Sequence, residues 1–222
     1  QMKENCLAVF NSNDIYPISA DSTMPFQQHR DILHLSGVDQ EESILVLFPS
    51  AKKESHREIL FLKETNEHIA VWEGEKLTKD TAFKTSGIKT VYWLDQFETI
   101  FKSLMAEAEG IYFNKNEHLR ADTTVQTRED RFIDWAIKQY PAHSVHKSAP
   151  IMHRIRSVKH QIEIDLMRRA CEITRDSFDR VLKFVEPNVW EYEIEAEIMH
   201  TFLRNRSKGF AYTPIVGSGA NA

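Results

Sequence analysis

The chain has 222 residues, with 28 Lys and Arg against 33 Asp and Glu, a formal net charge of −5 and 41 % apolar residues. This length fits one large domain or two small ones, and the charge and apolar content exclude a disordered tail. No run approaches the roughly 18 apolar residues of a membrane span, and a mildly acidic chain makes a poor nucleic-acid binder, so neither partner is expected.

In chain order, short apolar or alternating runs predict strands at 7–10, 32–35, 43–48, 58–62, 68–72, 90–93 and 110–113. Asp95 with Glu98 makes a capping-box pattern, and Phe97, Ile100, Phe101, Leu104 and Ala108 follow at helical spacing before Gly110. A second helix is expected over about 128–140, with Phe132, Ile133, Ala136 and Ile137 inward and Pro141 ending it. A β-rich beginning followed by helices predicts an α/β fold, one mixed sheet covered by helices. A domain boundary is expected near Ser148-Ala149-Pro150, since Pro150 disfavours helix at the residue before it. Charge shifts there too, from −6 over residues 1–149 to +1 over 150–222.

Beyond that boundary Ile162, Leu166, Ala170, Ile173, Ser177, Val181 and Val185 mark one face of a helix over 161–184, which Pro187-Asn188 ends. Another helix is expected over about 190–206, with Ile194, Ile198 and Phe202 inward and Lys208-Gly209 closing it. Both chain ends read as cut. Gln1 is not an initiator Met, and the two amphipathic helices need a surface that residues after 150 do not supply as a sheet.

The residues alone show no catalytic constellation. Gly217-Ser218-Gly219 lacks the strand-to-helix setting of a phosphate loop and reads as a strand-to-strand turn. His143 and His146, three apart, fall on opposite faces of a strand, and no His-Glu-x-x-His or Cys-x-x-Cys spacing occurs, so no complete metal site is expected. Glu191, Glu193, Glu195 and Glu197 spread around a helix start. No Gly-x-Ser-x-Gly elbow is present. Cys6 and Cys171 read as buried free thiols in a reducing, cytoplasmic setting, with a disulfide between them left open.

The segment Arg154-Ile155-Arg156-Ser157-Val158-Lys159, with Glu163-Ile164, Arg169-Ala170 and Ile173-Thr174, resembles the start of the "pita-bread" domain of the M24 metallopeptidases: Xaa-Pro aminopeptidase (aminopeptidase P), prolidase and creatinase. Pro187-Asn188-Val189-Trp190-Glu191 and Tyr212-Thr213-Pro214-Ile215-Val216-Gly217-Ser218-Gly219-Ala220-Asn221-Ala222 continue that pattern in order. Phe26-Gln27-Gln28-His29-Arg30-Asp31 through Leu35-Ser36-Gly37-Val38, and Ala70-Val71-Trp72-Glu73-Gly74, are similar to blocks of the same family's N-terminal domain. His160 replaces the family's usual small helix-capping residue after the Lys, which implies a weaker cap.

The resemblance implies a creatinase-type N-terminal domain over 1–148, with a mixed, ribonuclease-H-like sheet flanked by helices. It implies the first helices of an incomplete α+β pita-bread domain over 149–222. It further implies a cytoplasmic, homo-oligomeric hydrolase that releases the residue before proline, using two divalent metals, commonly manganese. The family's five metal ligands lie beyond the Gly-Ser-Gly-x-Asn turn, so none is carried over and the segment alone is expected to be inactive and to bind no metal. Two residues are carried over as substrate-binding: Trp72, as an apolar wall for a proline ring in a neighbouring subunit, and Tyr212, near the metal centre. Their ordinary alternatives are an edge-strand tryptophan and a core tyrosine. Prolidase stands as the alternative activity, and a non-catalytic assembly or binding module as the alternative class.

Overall fold

Leu7 and Val9 point into one apolar cluster, while Cys6, Ala8 and Phe10 point into another, so the first strand is buried on both faces. That burial makes it an uninterrupted apolar run and the middle of a sheet. In this computed structural model, which describes residues 1–121 and 124–219, that strand is β1 (Cys6–Asn11). It is followed by a small hairpin of β2 (Pro17–Ser19) and β3 (Ser22–Thr23), then α1 (Arg30–Ser36), β4 (Ile44–Leu47) and β5 (Glu58–Leu62). Next come α2 (Glu67–Glu73), α3 (Lys79–Ser86), β6 (Thr90–Trp93), α4 (Phe97–Met105) and β7 (Gly110–Phe113). The remaining elements are α5 (Arg128–Gln139), β8 (Ser144–Lys147), α6 (Ala149–Ser157), α7 (Gln161–Phe184) and α8 (Glu191–Arg204).

Six strands form one mixed sheet in the order β6-β5-β4-β1-β7-β8. β4 runs antiparallel to both β1 and β5, with Val9 opposite Val46 and Leu45 opposite Leu60. The pairs β5–β6, β1–β7 and β7–β8 are parallel. On one face α4 and α5 bury Phe97, Phe101, Leu104, Phe132 and Ala136 against Val9, Val46 and Phe61. On the other, Ile32 of α1, Ala82 of α3 and Met152 of α6 pack against Phe10, Leu45 and Leu60. The mixed sheet flanked by helices is the α/β architecture expected from the sequence.

Two expected strands are helices. Residues 32–35 lie in α1, where His29 caps the N-terminus and Gly37 closes the C-terminus with φ of 70°. Residues 68–72 lie in α2, between an Asn66 cap and Gly74. Both apolar runs are too short to distinguish the two periods, and the caps decide. The Asp95–Glu98 capping box does not form. A 3-10 turn occupies Leu94–Gln96, with Gln96 Oε1 accepting the Trp93 amide at 3.2 Å, and α4 starts at Phe97 without a side-chain cap. In α5 a Thr127–Asp130 capping box sets the start, and Ile137 is exposed rather than inward.

The chain divides into two compact units, Gln1–Arg156 and Ser157–Ala222. Pro150 is the second residue of α6, where a missing N–H costs nothing, and Met152 seats that helix in the core of the first unit. In the second unit α7 and α8 pack together, burying Ile173, Ser177 and Thr201, and Asn188 turns the chain between them at φ of 78°. The stripe expected along α7 is buried only at its middle, and Ile162 and Leu166 are 70 % and 65 % exposed. A partner helix of 14 residues cannot cover one of 24. At the start of α7 His160 makes no side-chain cap, and Glu163 supplies the reciprocal half by accepting the His160 amide at 2.9 Å. Both cysteines are free, and Cys171 is exposed rather than buried because it lies off the α7–α8 seam. No helix of the described residues is long and apolar enough to cross a membrane.

Candidate functional site

Trp72 stands on α2, not on an edge strand, and is 82 % exposed beside the exposed Val71. The helix begins where Asn66 Oδ1 accepts the Ile69 amide at 3.0 Å, and none of its seven residues is buried. Its far end is held by charge. Glu73 pairs with Lys63 at 2.9 Å and lies 3.9 Å from Lys76. Lys63 also reaches Glu42 at 3.3 Å, and Lys76 pairs with Glu41. Just beyond, the Leu77 amide donates to the buried Gln40 Oε1 at 2.7 Å. The hydrogen bond between Lys63 and Glu73 raises the ammonium's pKa and lowers the carboxyl's. These contacts present an indole and an isopropyl group to solvent. They offer an apolar surface and no hydrolytic chemistry.

A second cluster sits where β1 and β7 end. Glu129 Oε2 accepts from Asn11 Nδ2 at 2.7 Å, and its Oε1 accepts the Asn114 amide at 2.8 Å. Burial pushes the Glu129 carboxyl up, and the Asn11 and Asn114 donors oppose it. Asn114 Oδ1 accepts from Ser148 Oγ at 2.6 Å, and its Nδ2 lies 3.3 Å from His29 Nδ1. Asp31 pairs with Arg156 at 2.7 Å. Asp14 accepts the Arg128 amide at 2.7 Å and pairs with Arg131. Burial lowers the Arg128 pKa, and its Nη1 donates to Ser12 Oγ at 3.0 Å. An adjoining groove of about 790 Å³ has Phe97, Phe132 and Trp135 on its floor. The polar groups here answer one another and tie strand ends to helices, so the cluster reads as structural.

Tyr212 is 81 % exposed in the coil after α8, so the core-tyrosine alternative does not apply within the second unit. The Gly217-Ser218-Gly219 segment has no strand beside it among the described residues, so it is not the strand-to-strand turn expected, and it is fastened by the Ser218 amide donating to Glu191 Oε1 at 2.9 Å. Residues 220–222 of that segment lie outside the described residues. Trp72 and Tyr212 belong to different compact units. Among the described residues no three His, Cys, Asp or Glu side chains converge to hold a metal ion.

Sequence reasoning missed the charged set around α2. Its one signal is that Lys63, Glu73 and Lys76 close upon each other only if 67–73 is helical. It also missed Glu129, although the Thr127–Asp130 capping box that places it is readable.

Residues 1–112 match the family described as "Aminopeptidase P, N-terminal domain". The chain belongs to the aminopeptidase P family. Residues 165–222 match "Metallopeptidase family M24". The chain is 28 % identical over 204 residues to an Xaa-Pro aminopeptidase of Escherichia coli, covering 91 % of this chain and 46 % of that protein. It is 25 % identical over 214 residues to Xaa-Pro aminopeptidase 3 of Homo sapiens, covering 94 % and 41 %. Its fold is similar to a solved aminopeptidase P from E. coli in a low-pH form, with a TM-score of 0.85, 26 % identity, and coverage of 100 % and 50 %. The chain therefore spans about half the length of the relatives it matches.

Proposed function

We propose that this chain is the N-terminal portion of a metal-dependent Xaa-Pro aminopeptidase. The observation that carries this reading is the order of the two family matches, an N-terminal-domain match over 1–112 followed by a metallopeptidase match over 165–222. On this reading residues 1–148 are the N-terminal domain and 149–222 begin the catalytic domain. The complete enzyme holds two divalent metals, manganese by preference, through residues outside this segment, and the segment alone is inactive. When bound, such ions lower the pKa of a water and polarise the scissile carbonyl.

The role of this chain's own residues is recognition. A proline ring has no N–H to offer, so an apolar wall suits it better than a hydrogen-bonding one. Trp72, outward-facing on α2, is that wall for a neighbouring subunit of a homo-oligomer. Tyr212 borders the metal centre from the second unit. The enzyme is cytoplasmic.

The test uses the complete natural protein with added Mn²⁺ and peptides carrying proline second. Release of the first residue from tripeptides and longer peptides is expected, whereas turnover of dipeptides alone would make it a prolidase. Trp72→Ala is expected to lower kcat/KM for X-Pro peptides by roughly tenfold, the scale of one buried aromatic contact. A natural protein without X-Pro hydrolysis in any divalent metal sinks the proposal.

A further inference from the structure

We infer that Lys63 is a positioning residue for Trp72: with Glu73, Lys76, Glu41 and Glu42 it forms an electrostatic brace that orders α2 on the ends of β4 and β5. The inference rests on the reading of Trp72 as a pocket wall. A seven-residue helix is far too short to be stable in isolation, so something outside it must hold it. The usual anchor is an apolar face sunk into the core, yet α2 offers only the half-buried Ile69 and Ala70 and no buried residue. Asn66 caps one end, and the other end is where the charged groups gather.

Each charge on the body side is rooted in a rigid element. Lys63 directly follows β5, whose Ile59, Leu60, Phe61 and Leu62 are buried. Glu41 and Glu42 lie just ahead of β4, next to the buried Gln40 that receives the Leu77 amide. The Lys76–Glu41 pair is only 12 % and 15 % exposed, so salt screens it less than an open surface pair. Exposed ion pairs taken singly contribute little, but Lys63 and Lys76 both reach Glu73, the last residue of α2, and pairs that share a partner act together. Trp72 precedes Glu73 directly, so the strut that fixes Glu73 also orders the backbone from which the indole projects. Loss of the brace leaves the core of the unit intact and releases Trp72 into a wider set of orientations.

The test compares the complete natural protein with its Lys63→Met and Lys63→Arg variants. Hydrogen exchange of the 66–77 segment reports order in α2 independently of activity. Lys63→Met should speed that exchange by about three- to tenfold, with core-strand protection unchanged and Lys63→Arg close to wild type. In the wild type, raising salt from about 20 mM to about 1 M should speed exchange in α2 and not in β1. With X-Pro peptides, Lys63→Met should raise KM several-fold while kcat stays within about twofold.

Unchanged exchange in Lys63→Met overturns the brace. Faster exchange with an unchanged KM, in a protein where Trp72→Ala does raise KM, overturns the positioning role. If Trp72→Ala is itself silent, the pocket-wall reading fails, and the exchange data alone still judge the brace.

Discussion

Acid should unfasten the first turn of α1. His29 Nδ1 accepts the Asp31 amide at 3.2 Å and lies 3.3 Å from Asn114 Nδ2. Both neighbours are N–H groups, so Nδ1 must keep its lone pair and the ring proton sits on Nε2. Burial pushes the pKa of this imidazole below the ordinary 6.5, Arg156 and Arg30 push the same way, and Asp31 opposes them. With the folded value below the unfolded one, the unfolded chain takes up the proton first. The contribution of neutral His29 is therefore complete above 6.5 and is lost as pH falls toward the lowered folded value. Protonation turns Nδ1 into a donor facing donors. That removes a cap of about 1 kcal/mol and leaves buried polar groups unanswered, for a total of about 1–3 kcal/mol.

Urea unfolding followed by tryptophan fluorescence at about pH 7.5 and about pH 5 reads this loss. His29→Asn is the comparison, because it keeps a capping acceptor and does not titrate. Between the two pH values the wild type should lose about 1–2 kcal/mol more than the variant, since one group with an unfolded value of 6.5 can lose no more than about 2 kcal/mol by about pH 5. The extra midpoint shift is about 0.5–1 M at a slope near 2 kcal/mol/M. Equal losses in both proteins would refute the assignment of Nδ1 as an obligatory acceptor.

Other substitutions probe the packing. Gly110→Ala places a Cβ within 2.9 Å of both Cys6 Sγ and the Ser144 carbonyl oxygen, where backbone must move. It should destabilise the first unit by about 1–3 kcal/mol in chemical melts, and near-neutral behaviour would mean that β8 shifts freely. Phe101→Ala empties the centre of an aromatic cluster that includes Phe97 at 5.0 Å and Phe132, Trp135 and Tyr140 each at 5.8 Å. It should cost about 3–5 kcal/mol, a large part of a typical domain's stability, and show as a fall in Tm of the first unit.

The sequence made the central strands legible because burial on both faces leaves an unbroken apolar run, as at Leu7–Phe10 and Ile59–Leu62. It made α7 legible because 24 residues give the helical period room to repeat. It misled at α1 and α2, each seven residues long, where two apolar neighbours fit either period. There the deciding signals were capping residues, and His29 is an uncommon cap. It was silent about β8, an edge strand of Ser144, Val145, His146 and Lys147 that is mostly exposed and needs no apolar pattern. At the candidate site the sequence singled out Trp72 but set it on a strand, and neither its helix nor its surroundings were legible. The ion pairs around it join residues that are close only after β4, β5 and α2 have formed, and no local pattern announces them.

β1 takes one neighbour from nearby in the chain and the other from far away, with Cys6 opposite Gly110. On the ribosome, this apolar strand emerges ahead of β4 and β7 and can pair with β4 early. Its other edge must wait for about 100 further residues, about 5–20 s at 5–20 residues per second. For that interval a central apolar strand of the protein has an open edge, which is the template for pairing with another chain. The order of synthesis therefore makes β1 a point at which nascent chains are exposed to aggregation and to capture by chaperones, and completion of β7 is the step that ends that exposure.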